Sequence, residues 1–175
     1  MEIIYDRVSY IYNEGLSISN IAINNISIEL DDKKIYGITG KTGSGKTTFL
    51  QLLNNLLVPS KGSIKVGEYV LKKGRNNGDI KKLRKNIGFV FQFPEEQFFE
   101  TTVEKEVGVA LNNFGYEESS KKERIVKALK LVGLSEKYLN KNPFTLSGGE
   151  KRRVAIASIL VYNPKIIILD EPTVG

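Results

Sequence analysis

The run Gly40-Lys41-Thr42-Gly43-Ser44-Gly45-Lys46-Thr47 restricts this chain more than any other stretch of it. It has the form G-x-x-x-x-G-K-[ST] and lies between the apolar run Ile35-Tyr36-Gly37-Ile38 and a segment of helical spacing. That order predicts a strand, a tight glycine loop and a helix. The glycines let the backbone close around phosphate oxygens with no Cβ in the way. Successive amides then form an anion nest, reinforced by the positive end of the following helix. Lys46 supplies a point charge to β/γ-phosphates, and the Thr47 hydroxyl completes the coordination of Mg²⁺. Residues 40–48, Thr48 included, are the candidate nucleotide contacts. An accidental glycine-rich turn would need both flanks to be accidental as well.

What the composition lacks narrows the chemistry. The 175 residues hold no Cys and no His. That removes disulfide frameworks, zinc clusters, thiol nucleophiles and His-based triads. Catalysis must run on carboxylates, Lys, hydroxyls, amides and a borrowed cation. Hydrophobic residues at 41% and charged residues at 26% fit a globular domain rather than disorder. Val154 to Tyr162, the longest apolar stretch, is far short of the roughly 20 residues a bilayer helix needs. The opening residues lack a signal peptide's cationic flank and apolar core, so a cytosolic location is the default expectation. The net charge of +6 suits nucleic acid, an anionic membrane face or a polyanionic ligand equally.

Two textures alternate along the chain. Residues 21–30 alternate apolar and polar, as a half-exposed antiparallel strand does. Thr47 to Val58 reads as a helix closed by Pro59 and Gly62. Residues 63–66 and 68–71 form a hairpin with Gly67 at its turn, residues 72–79 a loop, and residues 87–91 a buried strand. From Thr102 to Leu139 the pattern is helical. Ser120 and Glu123 have capping-box spacing, and Ile125, Val126, Leu129 and Val132 supply an apolar face. A second box, Ser147 and Glu150, opens a helix through about Val161. Ile166-Ile167-Ile168-Leu169 is apolar throughout, which predicts a parallel strand buried on both faces. The order predicts an α/β fold in one domain: residues 1–94 as core, 95–145 as helical insertion, and 146–175 returning to the core.

That last strand ends in Asp170-Glu171, where open α/β sheets place their ligand crevice. Asp170 is the candidate second anchor for Mg²⁺, and Glu171 is placed to polarise an attacking water. Two solvated acids at a strand end are the bland alternative, weakened by the phosphate loop upstream. Leu146-Ser147-Gly148-Gly149-Glu150 pairs an N-cap serine with two glycines in the first helical turn. Each glycine costs roughly 1 kcal/mol against Ala. Close approach by an anion explains them better than an ordinary cap does. One loop already covers one triphosphate, so a second anion-binding helix start suggests a nucleotide shared between two chains.

Phosphate loop, Leu146–Glu150 run and Asp170-Glu171 strand, in this order, resemble the nucleotide-binding domain of ABC-type ATPases. The resemblance covers essentially the whole chain. It implies a P-loop NTPase fold with an N-terminal antiparallel β part, a mainly parallel core sheet and a helical insertion. It gives Gln92 the role of the Q-loop glutamine at Mg²⁺ and water. It gives Tyr12 the role of the aromatic that stacks on adenine, with Tyr10 as the competing choice and an ordinary strand residue as the plain one. Residues 91–103 and the run Glu150-Lys151-Arg152-Arg153-Val154-Ala155 resemble the ATPases of energy-coupling-factor (ECF) transporters, which import vitamins and metal ions such as cobalt or nickel. The resemblance implies a peripheral protein on the cytoplasmic face of the cell membrane, binding ATP and Mg²⁺. It also implies a head-to-tail dimer of identical or related ATPases, a transmembrane coupling subunit and a substrate-capture membrane subunit. By the same resemblance Gln97-Phe98-Phe99 grips coupling helices, unless these residues merely pack the insertion.

Family members continue beyond this strand with a D-loop carboxylate, further strands and a switch histidine. None is among these residues. The expectation is a piece of a longer ATPase that binds Mg-ATP without the complete hydrolytic set and lacks the C-terminal strands. The competing function is a soluble ABC-type ATPase acting on nucleic acid. The 55 residues from Gln92 to Ser147 leave room for a compact insertion but not a long coiled coil. The basic cluster Lys81-Lys82-Leu83-Arg84-Lys85 has no interleaved aromatics for stacking bases, so it reads as a solvated face and no nucleic acid is expected. A GTPase or small-molecule kinase leaves the Leu146–Glu150 run unexplained.

Overall fold

The computed structural model describes residues 1–74 and 79–171, with the backbone alone at Pro94 and Glu95. The chain divides into two compact units, Met1–Arg84 and Lys85–Gly175.

In the first unit β1 (Ile3–Tyr12) and β2 (Asn20–Leu30) pair antiparallel, from Ile3 opposite Leu30 to Tyr12 opposite Asn20. β3 (Lys61–Val66) pairs with the other edge of β1, and β4 (Tyr69–Leu71) with β3, giving the order β2-β1-β3-β4. The alternating stretch at 21–30 and the hairpin about Gly67 (φ 56°) form as predicted. A bulge at Arg7 (φ 49°) breaks the register of β1. Gly62 sits against it so closely that a Cβ would lie 2.3 Å from the Arg7 carbonyl oxygen. Tyr5, Val8, Ile64, Val66 and Leu71 are fully buried. Tyr5 stacks on Phe49 at 4.3 Å and donates its hydroxyl to the Phe49 carbonyl at 2.9 Å.

Two expectations fail in this unit. Residues 35–38 form no strand, and Ile35, Tyr36 and Ile38 are exposed. A strand exists only where another backbone takes its hydrogen bonds, and no described residue pairs with this run. The helix after the phosphate loop, α1 (Lys46–Leu53), ends well before Val58. Asn54 caps it and Asn55 takes a left-handed conformation (φ 50°), a helix stop that asparagine tolerates. Leu56 and Val58 are left half-exposed. Residues 75–78 of the predicted loop lie outside the described residues. The basic cluster forms a short helix, α2 (Ile80–Asn86), with Leu83 buried and Lys81 and Lys82 exposed, whereas Arg84 donates to the Asn54 and Asn55 carbonyls and Lys85 lies 4.4 Å over the Tyr116 ring.

In the second unit β5 (Ile87–Val90) and β6 (Ile166–Leu169) form a parallel pair, Ile87 opposite Ile166 through Val90 opposite Leu169. Between them run α3 (Val103–Asn113), α4 (Glu118–Leu131) and α5 (Gly148–Leu160), with short 3₁₀ turns at Pro94–Gln97, Glu136–Tyr138 and Pro143–Thr145. Val103, Val107 and Leu111 of α3 join Ile125 and Leu129 of α4 and Val154 and Ala157 of α5 in one apolar cluster. Gly88 of β5 lies hard against the end of α5: a Cβ there would meet Ile159 at 2.3 Å and Pro164 at 3.0 Å. The strand at 166–169 is parallel as predicted but not buried on both faces. Ile168 is buried, whereas Ile167 and Leu169 are 49% and 44% exposed. Ser120 and Glu123 form no capping box. α4 starts earlier, at Glu118, so Ser120 lies inside its first turn and donates its hydroxyl to the Glu117 carbonyl at 2.9 Å. The box at Ser147 and Glu150 is present, and Leu146 ahead of it is buried in the apolar cluster.

Candidate functional site

The phosphate loop belongs to the first unit. Gly45 (φ 90°) is the N-cap of α1, with no side-chain cap and no acid in the first turn, so the helix start keeps its positive character. A Cβ on Gly45 would strike the Ala22 carbonyl oxygen of β2 at 2.5 Å, whereas one on Gly43 (φ 79°) would meet nothing. The loop is thus seated on β2 at one glycine and open at another. The Ser44 amide donates to the Lys41 carbonyl at 3.1 Å. Lys46 Nζ donates to the carbonyls of Gly40 (3.0 Å) and Lys41 (3.2 Å), which hold the ammonium inside the loop. Thr42 is exposed within it, and Thr47 follows Lys46 in the first turn of α1. Thr48 is buried, its hydroxyl 3.0 Å from that of Tyr12. Tyr12 is 37% exposed and meets the Tyr10 ring edge-on at 4.8 Å. Burial and the neighbouring Tyr12 raise the Tyr10 phenol above its usual range.

The carboxylates belong to the second unit. Asp170 is buried at the end of β6, its amide donating to the Val90 carbonyl at 2.9 Å. Glu171 follows in a left-handed conformation (φ 48°) that costs an L-residue about 1–2 kcal/mol. Two groups grip it. Gln92 donates its side-chain amide to the Glu171 carboxylate at 3.0 Å, and Arg152 of α5 donates to the Glu171 carbonyl at 3.1 Å. Among the described residues no cluster of three or more Asp, Glu, His or Cys side chains forms a metal cage. Thr47 in the first unit and Asp170 in the second each offer a hard oxygen of the type Mg²⁺ prefers.

At the start of α5, Ser147 accepts from the Glu150 amide (3.4 Å) and donates both its amide (2.9 Å) and its hydroxyl (2.8 Å) to Glu150 Oε2. Tyr138 donates to Glu150 Oε1 at 2.6 Å. This hydrogen bond, then those from Ser147, hold the Glu150 carboxyl down to about 2. Among the described residues neither Gly148 nor Gly149 is demanded by internal packing: a Cβ on Gly148 would meet no atom within 4 Å, and one on Gly149 only Arg153 at ordinary contact.

A cavity of about 270 Å³ opens in the same unit, lined by Phe89, Phe98, Phe99, Glu106, Phe114 and Ile159 among others. Phe98 is buried, while Phe99 is 66% exposed. Buried Glu106 accepts from the amides of Phe99 (3.1 Å) and Glu100 (2.9 Å) and so pins the loop that carries both rings.

The profile of the family described as ABC transporter matches residues 23–174. The chain belongs to that family. It is 47% identical over all 175 residues to the energy-coupling factor transporter ATP-binding protein EcfA3 of Oenococcus oeni, covering 61% of that protein. The match to EcfA2 of Caldanaerobacter subterraneus is also 47%, covering 60%. The chain therefore spans roughly three fifths of the curated relatives it matches. Among solved structures it resembles cbiO1 of Clostridium perfringens, part of the ABC transporter complex cbiONQ. That match has a TM-score of 0.84 and 36% identity, over 99% of this chain and 66% of the other. The dimeric ATP-binding cassette MJ0796, bound to ADP and Pi in a post-hydrolysis state, gives a TM-score of 0.85 at 29% identity, over 98% of this chain and 74% of the other. The ABC cassette fold expected from sequence is thereby established.

Three residues of this ABC cassette were not legible as site residues. Glu106 carried a faint signal, an acid beside Val103 and Val107 on a helix face that is otherwise apolar. Arg152 and Tyr138 carried none, because each acts on a residue more than ten positions away.

Proposed function

We propose that this chain is the ATP-binding part of an ECF-type importer, in which binding and hydrolysis of Mg-ATP power uptake of a vitamin or metal ion. The observation that carries the reading is a pair of glycine-bearing helix starts, one with no side-chain cap and one capped by Ser147 and Glu150. One has Lys46 held within its loop; the other has two glycines that no contact among the described residues requires. Two such starts per chain suit a head-to-tail pair in which each nucleotide touches both copies, identical or related. The relatives' names supply the transporter class.

In this reading residues 40–48 hold the phosphates and Tyr12 stacks on adenine. Lys46 offsets charge on the β/γ-phosphates as the transferred group separates. Thr47, Gln92 and Asp170 would hold Mg²⁺, which would supply positive charge against the phosphates. Glu171 orients and polarises the attacking water. The partner's Leu146–Glu150 run, led by Ser147, closes the far side of the nucleotide and excludes solvent. Opening and closing then act on a transmembrane coupling subunit, and a separate membrane subunit captures the cargo. In this reading the chain acts peripherally, at the cytoplasmic face, as the relatives' names suggest; no described helix is long and apolar enough to cross a membrane.

The test is a pair of variants assayed in the assembled transporter. Lys46→Ala should lose nucleotide binding, and Glu171→Gln should keep binding and lose turnover. Normal hydrolysis by Glu171→Gln removes the role given to that carboxylate. Tight, salt-dependent DNA binding with no membrane partner recovered would favour the soluble ATPase instead.

A further inference from the structure

An acid at position 150 is a problem for the proposed site. Its negative charge sits one helical turn from the serine that, in the reading above, meets a phosphate. It also competes for that serine's single hydroxyl proton, because Ser147 Oγ already donates to Glu150 Oε2 at 2.8 Å. A hydroxyl bonded to a carboxylate cannot at the same time donate to a phosphate oxygen.

Tyr138 bears on both difficulties. It comes from the 3₁₀ turn Glu136–Tyr138 and donates to the opposite oxygen, Glu150 Oε1, at 2.6 Å. Lys141 Nζ lies 4.0 Å from the Tyr138 ring centroid, and Lys137 Nζ lies 5.8 Å from it. Lys141 also lowers the Glu150 carboxyl, and Arg153 acts to lower the Tyr138 phenol. A donor on Oε1 draws charge away from Oε2 and makes Oε2 a weaker acceptor. The Ser147 amide stays bonded to Oε2 at 2.9 Å, so the turn keeps its shape if the hydroxyl rotates away.

We propose that Tyr138 is a positioning residue for Ser147: by engaging one oxygen of Glu150 it fixes the carboxylate under the turn and loosens its hold on the serine proton, leaving the hydroxyl free to swing to a phosphate. This rests on the reading that Ser147 faces a nucleotide held by a second chain. It assigns a use to the tyrosine hydroxyl, as distinct from its ring, and makes that use depend on position 150 being an acid.

The experiment is a double-mutant cycle with two readouts. In the nucleotide-free chain, ¹³C NMR titration of the Glu150 carboxyl should show a midpoint well below the usual carboxylate range. Tyr138→Phe should move it upward while the ring and fold persist. In ATP-dependent self-association, Tyr138→Phe should weaken the dimer about tenfold, the scale of one charge-assisted hydrogen bond. In a Glu150→Gln background the same change should cost less than about twofold. An unmoved carboxyl midpoint overturns the inference. So does an equal loss in both backgrounds, which would make Tyr138 a packing residue only. Failure of the unmutated chain to associate with ATP sinks the two-chain reading, and the carboxyl titration then still decides what Tyr138 does.

Discussion

Replacing Gly45 by alanine tests whether the phosphate loop is seated on the sheet or merely flexible enough to wrap an anion. Gly45 has φ 90°, where an L-residue is disfavoured by about 1–2 kcal/mol. Its new Cβ would also lie 2.5 Å from the Ala22 carbonyl oxygen and 3.1 Å from Ile23 Cδ1. The obstacle is strand backbone, held in place by the pairing of Ile21 and Ile23 with β1, so it cannot rotate aside. Overpacking of that kind adds roughly 1–3 kcal/mol, for a total of about 2–5 kcal/mol. Gly43→Ala is the control. Its φ of 79° carries the conformational cost, but the Cβ enters open space, so its loss should stay near 1–2 kcal/mol. Urea unfolding followed by far-UV circular dichroism measures both, with slopes of about 1–3 kcal/mol/M turning the difference into a midpoint shift of order 1 M. Equal midpoints for the two variants would refute the seating of the loop on β2.

Three further outcomes follow from other contacts. Tyr5→Phe keeps the ring stacked on Phe49 but removes the hydroxyl donated to the Phe49 carbonyl. It should cost about 1 kcal/mol in urea unfolding, and no change would mean that water already satisfies that carbonyl. Glu106→Ala strips the Phe99 and Glu100 amides of their acceptor, so hydrogen exchange at both should accelerate while α3 stays protected. Uniform exchange across variant and parent would show that the carboxylate does not pin the loop. Glu150 gives a pH dependence: its carboxyl is lowered from an ordinary 4.5 to about 2 in the folded chain. A depressed carboxyl contributes fully above its unfolded value and loses its contribution as pH falls toward the folded one. Exchange protection of the Ser147 amide, corrected for intrinsic rate, should therefore hold down to about pH 4.5 and decay below it. Glu150→Gln should flatten that decay.

How much of this was legible depended on how local each cause was. The hairpin at Gly67 and the box at Ser147 and Glu150 are short-range devices, and both formed where the residues placed them. Ile35–Ile38 failed because apolar residues alone do not make a strand; a second backbone must accept and donate, and none of the described residues does so. The early end of α1 had a local signal, Asn54-Asn55, that was outweighed by Leu56 and Leu57 continuing the helical spacing. Ser120 and Glu123 had the right spacing in the wrong place, because the chain turns helical at Glu118. The phosphate-loop and Leu146–Glu150 residues stood out by spacing, and Gln92 and Tyr12 by resemblance. Tyr138 and Arg152 did not, since their partners lie more than ten residues away along the chain, and Glu106, whose partners are six and seven residues back, gave only a faint signal.

Gly88 sets a tolerance for the distant end of the helix that leans on it. α5 touches that bare α-carbon through Ile159, and Ile159 lies eleven residues along the same rod from Gly148, about 17 Å away at 1.5 Å per residue. A single methyl at position 88 would act like a shim under one end of a plank. The rod would tilt or slide as a piece, and the misalignment would surface at Ser147, the residue proposed above to meet a phosphate.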